Sequence, residues 1–415
     1  MRFSSFVLTC LLVSLAGNLA AQFTTLRGTV TDQDSGEPIP YVFLVLKNQQ
    51  NHGAVSNELG KYELVLTDEH LLDTVVISHL GYHPYQIVLS EIEDQSAPLD
   101  IQLKSSVITL STIEVNEDYD PITLIKRTLA NIPNKYGTDR YVLKGYYREY
   151  SLNKDGYADF TEAMVAISDS RYLKKRQPAT VFVDHLETTG YNGSLSTTLR
   201  YGNENPIYTL YEKQSNSARV HNIHWMSADE VDFFHAFDFS RLGVYIGNND
   251  TLVRIGYQIN PERAGLSTRA LSMLSGWTKG ELVINKTDYA IMRNTRGDGD
   301  GDAFSEVVYR RILGYYYPYR IFSTRGFKHG LNDLHLQTQM LIITDIANKP
   351  TAMRSYTRGT KVPRKKQLIE LKHVNTGTLD MNGIYLLDLP TEQALEVDRL
   401  RRERQLTLGK GTSKR

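Results

Sequence analysis

Residues 280–293 read GELVINKTDYAIMR, and the pattern of this stretch recurs through the larger part of the chain. Two runs rich in aliphatic residues flank the turn-forming residues 285–288, which is the pattern of a β-hairpin. Similar runs recur on both sides and predict strands over residues 141–150, 157–168, 180–185, 207–212, 252–259, 280–285, 289–296, 306–313, 319–326 and 334–343. We therefore expect residues 140–390 to form an antiparallel α+β domain, a curved sheet with a few helices.

The composition favours a β-rich protein and excludes several classes. The chain has 415 residues, enough for two or three domains of about 150 residues each. Its 47 basic and 47 acidic side chains cancel, which removes the main argument for a nucleic-acid partner. The 26 tyrosines suit half-buried pleated surfaces. The single cysteine, Cys10, excludes a disulfide framework and a cysteine-based zinc site.

Residues 1–21 have the layout of a secretory signal peptide. Arg2 precedes an apolar run over residues 6–16, and the small residues Ala20 and Ala21 follow before Gln22. The run is shorter than the roughly 20 apolar residues that span a bilayer. We expect export to the periplasm, cleavage after Ala21, and membrane contact that is at most peripheral.

Residues 22–104 contain a second series of short runs, bounded by turn residues. They predict strands over residues 26–31, 41–47, 53–56, 62–66, 74–78, 85–89 and 101–103. Strands at this spacing are typical of an all-β sandwich.

The motifs of this region carry a resemblance. GTVTDQDSGEPIPYVFLVL, AVSNELGKYELVL and DTVVISHLGYHPYQIVL resemble the carboxypeptidase regulatory-like domain, a transthyretin-like, Ig-like β-sandwich of secreted Bacteroidetes-type proteins, over residues of about 24–104. The resemblance implies a non-catalytic accessory domain. It also places turns at Gly28, Gly36, Pro38, Gly60 and Gly81.

Despite that domain's name, the sequence carries no peptidase zinc motif. A zinc carboxypeptidase needs a His-x-x-Glu pair to bring two ligands to one metal. None of the 11 histidines has a glutamate three residues later. We therefore expect no enzymatic activity, with no catalytic, cofactor-binding or metal-binding residues and no cofactor.

Residues 105–139 predict a connector followed by a helix. Asp120 suits the N-cap and Pro121 the first helical turn. The apolar residues that follow share one helical face, and Pro133 is expected to end the helix; they are Ile122, Ile125, Leu129 and Ile132. The stretches DPITLIKRTLANIPNKY and YVLKGYYREY also resemble a group of Bacteroidetes envelope proteins, which implies location alone.

Two further helices are predicted. The capping-box residues 227–230 begin one, which continues through Phe234 to Phe237 or Asp238. Residues 391–415 predict a charged C-terminal helix and tail. The basic residues of this tail either contact anionic lipid heads or form a solvated end; we favour the solvated end.

Three groups of residues are candidate sites. Asp298, Asp300 and Asp302 alternate as calcium ligands do, but Ala303 stands where an EF-hand loop needs glycine, so we interpret them as an acidic hairpin loop. A histidine group has zinc-type side chains without fixed geometry and is interpreted as surface or packing residues; it comprises His221, His224, Asp229, Asp232 and His235. The tyrosine-rich residues 146–150 and 315–320 would either stack on glycans or pack across strands, and packing is the expectation.

These observations predict a non-catalytic, exported cell-envelope protein. Its expected role is binding or scaffolding at the periplasmic side of the outer membrane, with an envelope protein, a glycan or a lipid as partner. The alternative is a carrier of a lipid or lipidated partner, since the hairpin of residues 280–293 is similar to those of LolA-like carriers, whose half-barrel wraps a cavity. A small outer-membrane barrel or a hydrolase comes third.

Overall fold

The structure is a computed structural model, and it divides into two compact units with a boundary after Ser105. As predicted, the fold is mainly β, with a small N-terminal β-sandwich and then a large antiparallel sheet. The described residues are 23–40, 42–48, 53–57, 59–79, 82–92, 94, 97–105, 107–108, 120–136, 139–153, 156–169, 179–188, 207, 210–211, 234–246, 250–264, 278–297, 303–312, 314–328 and 334–362.

The N-terminal unit is a sandwich of two sheets around one core. Its strands are β1 (Phe23–Asp32), β2 (Phe43–Leu46), β3 (Gly53–Val55), β4 (Lys61–Thr67), β5 (Thr74–Ser78), β6 (Tyr85–Val88) and β7 (Ile101–Leu103). In the described residues one sheet has the order β4-β1-β7 and the other β3-β2-β5-β6. Alternate residues of β4 and β5 are buried, and residues of both sheets share one apolar cluster.

The turn glycines of this unit behave in two ways. Gly36 and Gly60 both have a φ of 72°, a left-handed conformation that favours glycine, so they occupy turns as expected. Gly28 was also expected at a turn, but it lies within β1. A Cβ there would come within 2.0 Å of the Leu99 carbonyl oxygen, so close approach of the backbone explains this glycine. Gly81 lies outside the described residues.

The second unit is built on one sheet, which has 12 strands among the described residues. They are β8 (Val107–Ile108), β9 (Tyr141–Asn153), β10 (Gly156–Asp169), β11 (Thr180–Thr188), β12 (Phe237–Ile246), β13 (Thr251–Ile259), β14 (Lys279–Asn285), β15 (Ala290–Gly297), β16 (Ala303–Ile312), β17 (Tyr315–Lys328), β18 (Leu334–Ala347) and β19 (Thr360–Val362). The order is β19-β11-β10-β9-β18-β17-β16-β15-β14-β13-β12-β8, with antiparallel neighbours throughout.

In the described part of this unit, two helices have both ends within the described residues: α1 (Pro121–Lys135) and α2 (Pro350–Tyr356). The Asp120 side chain caps α1 by accepting from the Thr123 N–H at 2.8 Å, which confirms the predicted start. Pro133 does not end α1, which continues to Lys135, because a proline this close to the C-terminus removes a single hydrogen bond of the last turn. None of the helices in the described residues has the length and apolarity to cross a membrane.

The α1 helix packs on one face of the large sheet, which we call the core face. Leu124, Ile125 and Ile132 of α1 join one apolar cluster with strand residues such as Val307 and Leu341. The buried Tyr136 directly follows α1, and its hydroxyl accepts from the Ile291 N–H at 2.7 Å and donates to the Ile291 carbonyl at 3.0 Å. The Tyr136 hydroxyl thereby satisfies backbone groups near the start of β15, before the described pairing with β16 begins at Arg293.

Two further predictions were wrong in this unit. The predicted strand 207–212 is helical at its described residues, because Ile207, Leu210 and Tyr211 are spaced three and four apart and bury one helical face. The helix predicted to reach Phe237 or Asp238 gives way to β12 at Phe237, where burial begins to alternate with a period of two.

We predict that Tyr136→Phe lowers the free energy of unfolding of the second unit by about 1–3 kcal/mol, because it leaves buried backbone groups unsatisfied. Urea denaturation followed by circular dichroism measures this change. Tyr289→Phe is the matched control, since it removes a hydroxyl that bonds the exposed Arg127 side chain at 3.0 Å. Equal losses in the two variants would contradict the assignment.

Candidate functional site

The core face of the large sheet carries an unbroken row of apolar residues. Direct cross-strand pairing joins them over six neighbouring strands, β16, β17, β18, β9, β10 and β11. In that order they are Val307, Ile321, Leu341, Tyr147, Ala163 and Leu186, all buried. This row belongs to the same apolar cluster as α1.

Two residues farther along each of these strands, the same face becomes polar. Six directly paired residues form what we call the polar row: Arg296, Ser305, Ser323, Gln339, Glu149 and Thr161, on β15, β16, β17, β18, β9 and β10. Arg296 and Ser305 are buried, and the other four are partly buried. Polar groups at positions of this kind contribute little to packing and cost free energy when desolvated. The polar row therefore marks the candidate site.

Glu149 lies within the polar row and is surrounded by neutral donors. Its Oε2 accepts from the Tyr147 hydroxyl at 2.9 Å, and its Oε1 accepts from Gln339 Nε2 at 3.2 Å. Gln337 Nε2 donates to the same Oε1. We call these four residues the Glu149 cluster. Burial raises the pKa of the Glu149 carboxyl, while the three donors oppose that rise.

The opposite face of the sheet, which we call the outer face, holds its charges in pairs. Arg254 donates two bonds to Glu281, at 2.8 and 2.6 Å. Arg293 lies 3.8 Å from Glu281 and donates to Glu306 at 2.6 Å, and Arg320 also contacts Glu306. These five residues, on β13 to β17, form a charge ladder of alternating sign. Each Glu of the ladder thus contacts two Arg side chains.

A second charged group lies on the outer face, farther along the strand order. Glu162 of β10 stands directly opposite Arg148 of β9. Arg148 Nε donates to Glu162 Oε1 at 2.9 Å, and the Tyr146 hydroxyl donates to the same oxygen. All three side chains are buried. Burial raises the pKa of Tyr146 well above its ordinary value, so its hydroxyl keeps the proton that it donates.

The two tyrosine-rich segments are largely buried. Tyr146 and Tyr147 are neighbours in sequence, yet one bonds Glu162 on the outer face and the other Glu149 on the core face. In the second segment three of the tyrosines are buried and Tyr315 is exposed; the buried ones are Tyr316, Tyr317 and Tyr319. This burial confirms the packing interpretation for the buried tyrosines.

The other candidate groups fall mostly beyond the described residues. Asp298, Asp300 and Asp302 lie outside them, as do residues 1–21, 221–233 and 363–415. His235 is described and exposed. Within the described part of the chain, no group of three or more His, Cys, Asp or Glu side chains could hold a metal ion.

The polar row is not apparent from the sequence. The sequence does show which residues share a face of a strand, because residues two apart point the same way. Glu149 follows Tyr147 by two residues, and Gln339 precedes Leu341 by two. Pairing of β9 with β18, nearly 200 residues away, is what brings these positions together, with Gln339 directly opposite Glu149. That pairing cannot be read from local pattern.

The fold and site together define a two-unit, mainly β protein whose large sheet bears a polar row beside an apolar core. Residues 26–115 match the family model described as the CarboxypepD_reg-like domain, so the N-terminal unit is a domain of this type. The match covers the N-terminal part of the chain alone. No curated protein matches the chain.

Solved structures show weak likenesses to the chain. A LolA superfamily protein from Nitrosomonas europaea has 13% identity and a TM-score of 0.22, with 56% of this chain and 96% of that one covered. The MucA/MucB complex of Pseudomonas aeruginosa has 8% identity and a TM-score of 0.16, with 60% and 99% covered. Lipovitellin has 10% identity and a TM-score of 0.21, with 51% and 26% covered. At such TM-scores these likenesses carry no argument about function.

We predict that Glu162→Gln lowers the free energy of unfolding by about 3 kcal/mol or more, because it removes the negative charge that lies against the buried Arg148 guanidinium. Asp238→Asn makes the same change of charge in the exposed pair with Arg263 and is expected to cost about 1 kcal/mol or less. Urea denaturation measures both, and similar costs would contradict the prediction.

The raised pKa of Glu149 predicts a pH-dependent contribution to stability. Because the folded-state pKa lies above the unfolded value of about 4.3, the contribution is fully present below that value and is lost as pH rises through the folded pKa. Subtracting the unfolding free energy of Glu149→Gln from that of the wild type, at a series of pH values, should therefore give a difference that falls with pH. A constant difference would show that the two states share one pKa.

Proposed function

We propose that this chain is a non-catalytic, exported protein of the cell envelope, with a binding or scaffolding role at the periplasmic side of the outer membrane. Export rests on the signal-peptide pattern of residues 1–21. Binding rests on the polar row of the large sheet, and the CarboxypepD_reg-like domain serves as an accessory unit.

The polar row supports binding because polar side chains beside an apolar core cost free energy of desolvation, which purely structural residues at these positions would avoid. The neighbouring row on the same face is buried and apolar, and it belongs to the same cluster as the buried residues of α1. Apolar side chains in the next row would bury more apolar surface and stabilise the fold. Polar side chains there instead cost free energy when they are desolvated. Polar residues at core-facing positions, where the pattern calls for apolar ones, are expected at functional sites.

The carrier alternative needs an apolar cavity between the sheet and α1. Around α1 the space is occupied by side chains, since Leu124, Ile125 and Ile132 pack into the same cluster as Tyr309 and Ile291. Tyr309 and Tyr136 also meet edge to face, with ring centroids 5.6 Å apart. This packing favours binding at the polar row over enclosure of a ligand beneath the helix.

Affinity capture from envelope fractions, with mass spectrometry of lipids and proteins, tests the proposal. The wild type is expected to enrich a partner, and Gln339→Leu is expected to weaken its recovery about fivefold through loss of about 1 kcal/mol of polar contact. The control is Thr324→Val, which changes a threonine pair on the outer face of the same two strands, with hydroxyls 3.4 Å apart.

A partner that is recovered equally by the wild type and by Gln339→Leu does not use the polar row. That outcome, or recovery equal to that of an unrelated exported protein, would contradict the proposed function.

A further inference from the structure

The glutamates of the large sheet are treated differently on its two faces. On the outer face Glu162, Glu281 and Glu306 each contact an arginine. On the core face Glu149 contacts the hydroxyl of Tyr147 and the two amides of its cluster, and no described cation lies within salt-bridge distance of it. A desolvated carboxylate is ordinarily compensated by a cation, so Glu149 departs from the pattern of the outer-face glutamates.

The Glu149 carboxylate also retains acceptor capacity. A carboxylate offers about four lone-pair positions. The described donors use three of them, two on Oε1 and one on Oε2. The remaining position on Oε2 suits a donor that comes from outside the cluster.

The site is reachable from outside the apolar core. Tyr147 and Leu341, one row towards the core, are fully buried. Glu149, Gln337 and Gln339 are partly exposed. The cluster therefore borders the fully buried apolar row on one side.

We infer that the Glu149 cluster binds a cationic nitrogen group, an ammonium borne by a small amine or by a lipid headgroup, and that this group is what the polar row recognises. The ammonium donates to Glu149 Oε2 and supplies the positive charge that the outer-face glutamates receive from arginine. Gln337, Gln339 and the Tyr147 hydroxyl hold the carboxylate in place by donating to it. This inference rests on the proposed binding function and names its chemistry.

Calorimetric titration of the full chain with n-hexylammonium tests the inference, with 1-hexanol as the neutral probe of the same length. Saturable binding is expected for the ammonium and not for the alcohol. Glu149→Gln preserves the shape of the side chain and is expected to weaken ammonium binding roughly 10- to 100-fold, the usual effect of losing a charge-assisted contact.

Glu281→Gln is the matched control, because it makes the same chemical change on the outer face, where Arg254 contacts the carboxylate. It is expected to leave ammonium affinity unchanged. Urea midpoints of both variants show whether each remains folded. Equal affinity in the wild type and Glu149→Gln, equal binding of hexanol, or the absence of saturable binding would each overturn the inference.

Competition by free ethanolammonium and by bicelles containing phosphatidylethanolamine distinguishes the two sources of the group. Competition by the free amine indicates a soluble ligand, and competition by bicelles alone indicates a lipid headgroup; both support the shared chemistry. If the wild type does not bind ammonium but still captures an envelope partner, and Gln339→Leu weakens that capture, this inference alone is overturned. Ammonium binding that depends on Glu149, without any captured partner, would overturn the proposed envelope function and retain the site.

Discussion

The pleat of the strands is the constraint on which both surfaces of the large sheet depend. Successive residues must face opposite sides, so each strand contributes alternately to the core face and to the outer face. Tyr147 and Arg148 show the consequence within two residues: one packs beside Leu341 in the core, and the other contacts Glu162 on the other side. A shift of one residue in β9 would exchange these surfaces, turning the arginine towards the core face and the tyrosine towards the outer face.

The charge ladder reinforces that register. Arg254, Arg293 and Arg320 lie on alternate strands, and the two glutamates between them lie on the intervening strands, so each contact forms only when neighbouring strands are aligned. Isolated pairs of this kind contribute little where solvent reaches them. Where they are buried, as at Glu306 and Arg320, a misaligned strand would leave a charge without its counter-ion, which is far more costly. The ladder thus disfavours wrong registers more than it stabilises the correct one.

The sequence predicted the strands better than their partners. Runs of β-branched and aromatic residues placed Thr74–Ser78 and Ile101–Leu103 at their observed bounds, and the Asp120 cap placed the start of α1. Local periodicity failed at Ile207 and Phe237, where a few residues fit both a helix and a strand. The polar row could not be predicted, because it exists only once β9 lies beside β18 and once β15 to β18 are in register.

The same register explains why Glu149 could not have been distinguished from the other glutamates by sequence. In the chain it follows Arg148, a neighbour that would suggest an ion pair, yet the pleat directs that arginine to the other face, where it contacts Glu162. What reaches Glu149 instead are two amides from β18 and a hydroxyl two residues away on its own strand. Neutral donors fix the position of a carboxylate without cancelling its charge. An arginine at the position of Gln339 would place a cation beside that charge, whereas the neutral donors leave the charge for the cation of the inferred site.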